Sequence, residues 1–257
     1  MSGDQPPWAA LYHDPLPVGG IAVGLLLGTY ALFGVSVDLP LLGAGFGGTA
    51  LAYAVDRVWA DTPEDRINRP ERVAWIRAHP RWLAVETAVL FALTGSVLPY
   101  LTTQTLLWSA GLGTVAGLRL LVRGDAAPVV GGPRKPIAIA GAWAAGGALL
   151  PLVEAGSPIG PGVMLFFGYR WLFILPNLLV ADWGDRAGDA EVGMAPWATA
   201  WTAKQVQGAA TSLLLVALGG AVGWAVVGDA PVLVALDACG PLLMLGVVWG
   251  LEPGRSR

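Results

Sequence analysis

The chain has 257 residues, 55% of them hydrophobic and only 13% charged, with a formal net charge of −3 and one cysteine. Charged residues run at about half the ~25% of a soluble domain, and mean hydropathy is +0.61, so a water-soluble globular protein is excluded. No basic patch is interleaved with aromatics, which argues against nucleic-acid binding. A lone Cys239 excludes an internal disulfide or a CxxC site, and His13 and His79 are too far apart for a zinc motif.

In chain order, the N-terminal stretch Met-Ser-Gly-Asp-Gln-Pro-Pro lacks a basic start and a cleavage signal, so the first span is expected to be a retained anchor. Spans long enough for a ~30 Å hydrocarbon layer are expected over 17–37, 39–56, 82–101, 104–122, 136–153, 160–181, 206–227 and 231–250. Glycines recur every four residues at Gly20, Gly24 and Gly28, and again at Gly43 and Gly47, a spacing that lets helices pack closely. Gly43 to Gly48 spells GxGxxG, but inside a span with no strand before it, so it is read as packing rather than nucleotide binding. The expectation is an all-α polytopic bundle of about eight transmembrane helices in two four-helix halves. It forms a single membrane domain over 1–257: residues 1–16 as an N-terminal segment, 17–250 as the bundle and 251–257 as a tail.

The distribution of Lys and Arg sets the orientation. Connections after spans 2, 4 and 6 hold Arg57, Arg66, Arg69, Arg72, Arg77 and Arg81, then Arg123, Arg134 and Lys135, then Arg186 and Lys204. The opposite turns, around Asp38, Thr102, Glu154 and Asp229, hold none. The positive-inside rule then puts both termini in the cytoplasm, in a multi-pass protein of the cell (inner) membrane. Trp59, Trp75, Trp82, Trp183, Trp197, Trp201 and Trp249 fall near those basic ends, where an interfacial belt is expected.

Two acidic clusters stand where apolar runs stop, each after the second span of its half. The first runs from Asp61 through Asp65 and Asn68 to Arg72; the second contains Asp182, Asp185 and Asp189. Spacing of i, i+3, i+7 puts the second set on one helix face. Like charges so placed repel unless a cation neutralises them, and carboxylate oxygens suit Mg²⁺. The alternative is a solvated loop, salt-bridged among Arg66, Arg69 and Arg72. Pro63 fits a first helical turn with Asp61 or Thr62 as its cap. Within the spans, Arg170 and Asp237 lie about ten and six residues in from the same side, and because an unpaired charge there costs at least ~2.5–3.5 kcal/mol, a contact between them is expected; the alternative is that each reaches the outer interface or a polar cavity alone.

The second cluster, Asn177, Asp182, Asp185, Gly188, Asp189 and Gly193, resembles the pattern Asn-x4-Asp-x2-Asp-x2-Gly-Asp-x3-Gly of the UbiA superfamily of intramembrane prenyltransferases. The stretch from Asp65 to Arg72 resembles the tail of that family's first motif, and Lys135-Pro with Trp143 to Pro151 resembles the start of its fifth helix. Arg57 stands where the family has its leading Asn, and Arg119 and Arg123 where it has Tyr-x3-Lys. The resemblance implies a Mg²⁺-dependent transferase that moves a prenyl group from a polyprenyl diphosphate to a hydrophobic, aromatic or lipid, acceptor within the lipid bilayer. Asp61, Asp65, Asp185 and Asp189 would be the catalytic metal ligands. Asn68, Arg72, Arg119, Lys135, Asn177, Asp182 and Lys204 would bind substrate. The readings left beside it are a non-catalytic UbiA-like subunit, a membrane transporter or carrier, and an enzyme that cyclises the prenyl chain.

Overall fold

The computed structural model describes residues 13–58, 62–121, 134–191, 196–227 and 231–250. Those residues form helices and turns, with no strand among them. In chain order the helices are α1 (Leu16–Phe33), α2 (Leu39–Val58), α3 (Pro63–Asn68), α4 (Pro70–Ala78), α5 (Pro80–Val97), α6 (Thr103–Leu121), α7 (Arg134–Ala148), α8 (Leu150–Glu154), α9 (Pro161–Gly184), α10 (Arg186–Glu191), α11 (Pro196–Ala200), α12 (Ala203–Val227) and α13 (Pro231–Trp249).

Local chemistry sets the boundaries. Proline opens α3, α4, α5 and α9, where its missing N–H costs nothing and its fixed φ is already helical. Gly34 ends α1 at φ 62°, a left-handed conformation that glycine adopts without penalty. The first span therefore stops at Phe33, four residues short of the expected 37. A break at Leu149, just ahead of Pro151, divides α7 from α8.

Each of the eight expected spans coincides with a helix or, for 136–153, with the pair α7 and α8. Six stretches are both long and apolar enough to cross a membrane: Leu16–Phe33, Pro80–Tyr100, Lys135–Glu154, Pro161–Gly184, Ala203–Val226 and Val232–Trp249. Helices α2 and α6 have the length, at 20 and 19 residues, but carry less apolar character. Large apolar side chains lie exposed along α5 (Val85, Val89, Phe91), α12 (Leu215, Val216, Val222) and α13 (Leu236, Leu243, Val247). A surface of that kind is a liability in water and the ordinary boundary of a protein in lipid. The chain is a helical membrane protein.

Packing runs in sequence around the bundle. Helix α2 lies between α5 and α1, and α1 leads to α7. Next come α9, then α12, then α13, which returns to α1. Helix α6 packs on α7 and α8, and the short helices α3 and α10 pack against each other. The glycines divide. A Cβ at Gly43 would meet Val97, and one at Gly47 would meet Thr94 at 2.5 Å, as close packing requires. Gly20 and Gly24 face open space instead, so the four-residue spacing in α1 marks an interface only at Gly28.

There a Cβ would come within 2.7 Å of Arg170 Nη2. Arg170 of α9 pairs with Asp237 of α13 at 2.7 Å, as the depth argument anticipates. The Tyr169 hydroxyl donates to the other Asp237 oxygen at 2.7 Å, and the guanidinium sits 5.0 Å over the Phe166 ring. Three helices thus meet on one buried ion pair, and only a glycine on α1 leaves room for it.

Candidate functional site

The two acidic clusters, far apart in sequence, meet where α3 packs on α10. Thr62 caps α3: its hydroxyl oxygen accepts the Asp65 N–H at 3.2 Å and its O–H donates to Asp65 Oδ2 at 2.9 Å. This fixes the Asp65 carboxylate in the first turn, where the helix dipole also favours it. Arg72, on α4, closes an ion pair with the other Asp65 oxygen. Arg69, the residue joining α3 to α4, reaches across to Asp185 at 2.7 Å. Asn68 Oδ1 accepts the Gly188 N–H at 2.8 Å, 120 residues away in sequence.

Gly188 is required by this contact. A Cβ there would lie 2.6 Å from the Glu64 carbonyl and 2.7 Å from Asn68 Nδ2. The second cluster is not one continuous helix: α9 ends at Gly184, Asp185 caps it, and α10 restarts at Arg186. That break turns Asp185 toward Arg69 while Asp189 drops into the α3–α10 interface. Lys135, at the start of α7, lies 3.8 Å from Asp182. Arg186 stacks 3.9 Å over Trp183 and donates to its carbonyl at 2.8 Å.

Asp189 is the most confined of these groups, 1% exposed. Its Oδ2 is buried without a hydrogen-bond donor, and its carboxyl meets that of Glu64. Burial first, and then the Glu64 carboxyl beside it, push the Asp189 carboxyl up to about 8. Two carboxyls in contact away from water share a proton or hold a cation. Burial also raises the Asp185 carboxyl, against the opposing pull of Arg69.

Of the residues singled out in the sequence, Asp65, Asn68, Arg72, Asp182, Asp185, Asp189 and Lys135 converge here. Asp61 lies outside the described residues, as does the side chain of Arg119 on α6. Asn177 is exposed on α9 just after Pro176, and Lys204 is exposed in the first turn of α12. Glu64 and Arg69 enter the site without having been assigned a role in it. Glu64 is not among Asp61, Asp65 and Asn68, the first-cluster residues singled out in the sequence, and Arg69 reads locally as a loop cation. The proline at Pro63, which places Glu64 in a first helical turn, is the signal that could have found the former. Trp183 and Trp197, expected in an interfacial belt, are instead buried together against α12.

Behind α3 and α4, Arg57, Glu86 and Asp14 are buried side by side, with Arg57 also in charge range of Arg72. Both Glu86 oxygens and Arg57 Nη1 lack an aligned hydrogen bond.

The donor set can be tested against Mg²⁺. Among the described residues, no group of three or more His, Cys, Asp or Glu is disposed to hold a metal ion. Asp65 and Asp185 are each taken by an arginine. The Glu64–Asp189 pair, with its undonated buried oxygen, fits a cation that takes two protein carboxylates and completes its shell from substrate and water, which is the habit of Mg²⁺.

Comparison of the chain with protein-family models, with curated proteins and with solved structures finds no match.

Proposed function

We propose that this protein is a Mg²⁺-dependent intramembrane prenyltransferase with a UbiA-like site, built on eight spans in two four-helix halves. Both termini and both acidic clusters face the cytoplasm of the cell membrane. One observation carries the reading: two acidic motifs, separated by a membrane's worth of apolar helices in sequence, clamp together through Asn68–Gly188 and Arg69–Asp185. The substrate with the matching chemistry is a polyprenyl diphosphate, whose tail suits an apolar bundle and whose head suits cations and arginines. The second substrate is a hydrophobic acceptor.

In this reading Glu64 and Asp189 hold the cation, with Asp65 and Asp185 next to it. A bound divalent cation supplies neutralisation of the charge that develops on the leaving diphosphate. Arg72 and Lys135 donate charge-assisted hydrogen bonds to phosphate oxygens. The surrounding apolar helices exclude water from the carbon centre after the allylic C–O bond opens.

Purified protein incubated with labelled prenyl diphosphates and Mg²⁺ tests this through diphosphate release, with and without candidate acceptors. Release that falls away in Asp185→Ala and Asp189→Ala is the expected result. A folded protein that neither binds nor turns over any donor overturns it. A second reading, a non-catalytic membrane subunit with the same fold, draws on Arg57 and on the arginines that already neutralise Asp65 and Asp185. Wild-type turnover separates the two: an enzyme releases diphosphate in the presence of Mg²⁺, and Arg57→Asn preserves or raises that rate, whereas folded wild type releases none in a relic.

A further inference from the structure

Three basic residues of the site each face one carboxylate. Arg72 holds Asp65, Arg69 holds Asp185 and Lys135 lies by Asp182. What remains is the Glu64–Asp189 contact, with the buried Asp189 oxygen that no donor reaches. A metal cation entering alone at Glu64 and Asp189 would find the neighbouring Asp65 and Asp185 oxygens held by two guanidiniums. A diphosphate entering alone would meet carboxylates on the guanidiniums it needs. Entering together, they can exchange partners: the carboxylates turn to the cation and the guanidiniums to the phosphate oxygens, and each charge is again neutralised. Arg69 is the residue best placed to make this exchange. It sits at the α3–α4 junction, bridges the two motifs, and its pair with Asp185 is partly open to solvent, at 38% and 31% side-chain exposure.

We propose that Arg69 and Arg72 are ion-exchange latches that hold Asp185 and Asp65 until a divalent cation and a diphosphate arrive together, and that Arg69 then becomes a diphosphate ligand. The inference rests on the diphosphate reading above and adds to it a binding residue and an obligatory coupling between cation and anion. Coupling of this kind is reciprocal: whatever factor pyrophosphate adds to cation affinity, the cation adds to pyrophosphate affinity.

Equilibrium dialysis of the purified full-length protein in detergent tests it. The probes are Mn²⁺ and inorganic pyrophosphate, alone and combined, and the free Mn²⁺–pyrophosphate complex is counted in the protein-free chamber. Wild type is expected to hold either probe weakly and the pair at least about tenfold more tightly. Arg69→Gln frees Asp185, so Mn²⁺ alone binds more tightly and the coupling shrinks. Asp185→Asn frees Arg69, so pyrophosphate alone binds more tightly and its dependence on Mn²⁺ shrinks. The two variants act in opposite directions on the two probes, which general misfolding cannot imitate.

Binding of pyrophosphate that is indifferent to Mn²⁺ in wild type, and unmoved in both variants, overturns the latch and leaves the diphosphate reading standing. Retention of neither probe by wild type or by either variant overturns both.

Discussion

Two ion-paired regions of this molecule differ sharply in how much water they meet. At the α3–α10 junction the Arg69–Asp185 pair keeps 38% and 31% of its side-chain surface in contact with solvent. At the meeting of α1, α9 and α13 the Arg170–Asp237 pair keeps 4% and 11%. The first pair gives up little when it opens, because water or a ligand can replace either partner. The second has no substitute at hand, and Tyr169 and Phe166 fix it further. On the proposed exchange, the charge that moves is left wet and the charge that stays is sealed.

The largest expected effect breaks the sealed pair. Asp237→Ala strands Arg170 in the bundle and should destabilise the protein by ~3–5 kcal/mol, whereas Arg170→Met with Asp237→Leu should be close to neutral. Denaturation in detergent, followed by circular dichroism, reads both, and a double variant as damaged as the single one would refute the account.

Gly188→Ala comes next. Its new Cβ has no room between the Glu64 carbonyl and the Asn68 amide, so α3 and α10 must part, at a cost of ~1–3 kcal/mol. The same melts measure it, and on the function proposed above cation binding at Glu64 and Asp189 weakens in parallel.

The buried carboxyl beside the exposed pair should also show a pH signature. The folded-state value for Asp189 lies above its ordinary 3.8, at about 8, so folding favours its protonated form. Its contribution to stability is complete below the ordinary value and declines as pH rises toward about 8. Asp189→Asn, neutral at every pH, should flatten that slope between pH 5 and 8 in a series of melts without added cation. An unchanged slope would mean that another group titrates.

The smallest effect on stability is expected from the exposed pair itself. Arg69→Gln should cost under ~1 kcal/mol. If it costs as much as Asp237→Ala, the contrast between the two regions fails.

The sequence made different parts of this legible for different reasons. Helices with hydropathy as strong as α9 and α12 announce themselves, and the Arg170–Asp237 contact was legible as one of two ways to relieve an unpaired charge at depth; the structure shows the pair. The cap at Thr62 could be read from its place before Pro63. The pairing of Arg69 with Asp185 could not, since it depends on how α3 and α10 meet, and local spacing carries no information across that distance. Spacing also misled at Gly20 and Gly24, where the face of α1 that meets a neighbour is set by packing and not by the repeat. What the sequence did not show for Trp183 and Trp197 is their packing: both rings are buried between α9, α11 and α12.

The hydrogen bond between Asn68 and Gly188 spans 120 residues, which gives the site a schedule. On a ribosome that adds ~5–20 residues per second, the first motif waits roughly 6–24 s for its partner to be made. During that interval Asp65 already has Thr62 and Arg72, both within its own short stretch of chain. A nascent chain therefore carries a neutralised half-site through insertion, and the complete site comes into being only once the sixth long helix is in place.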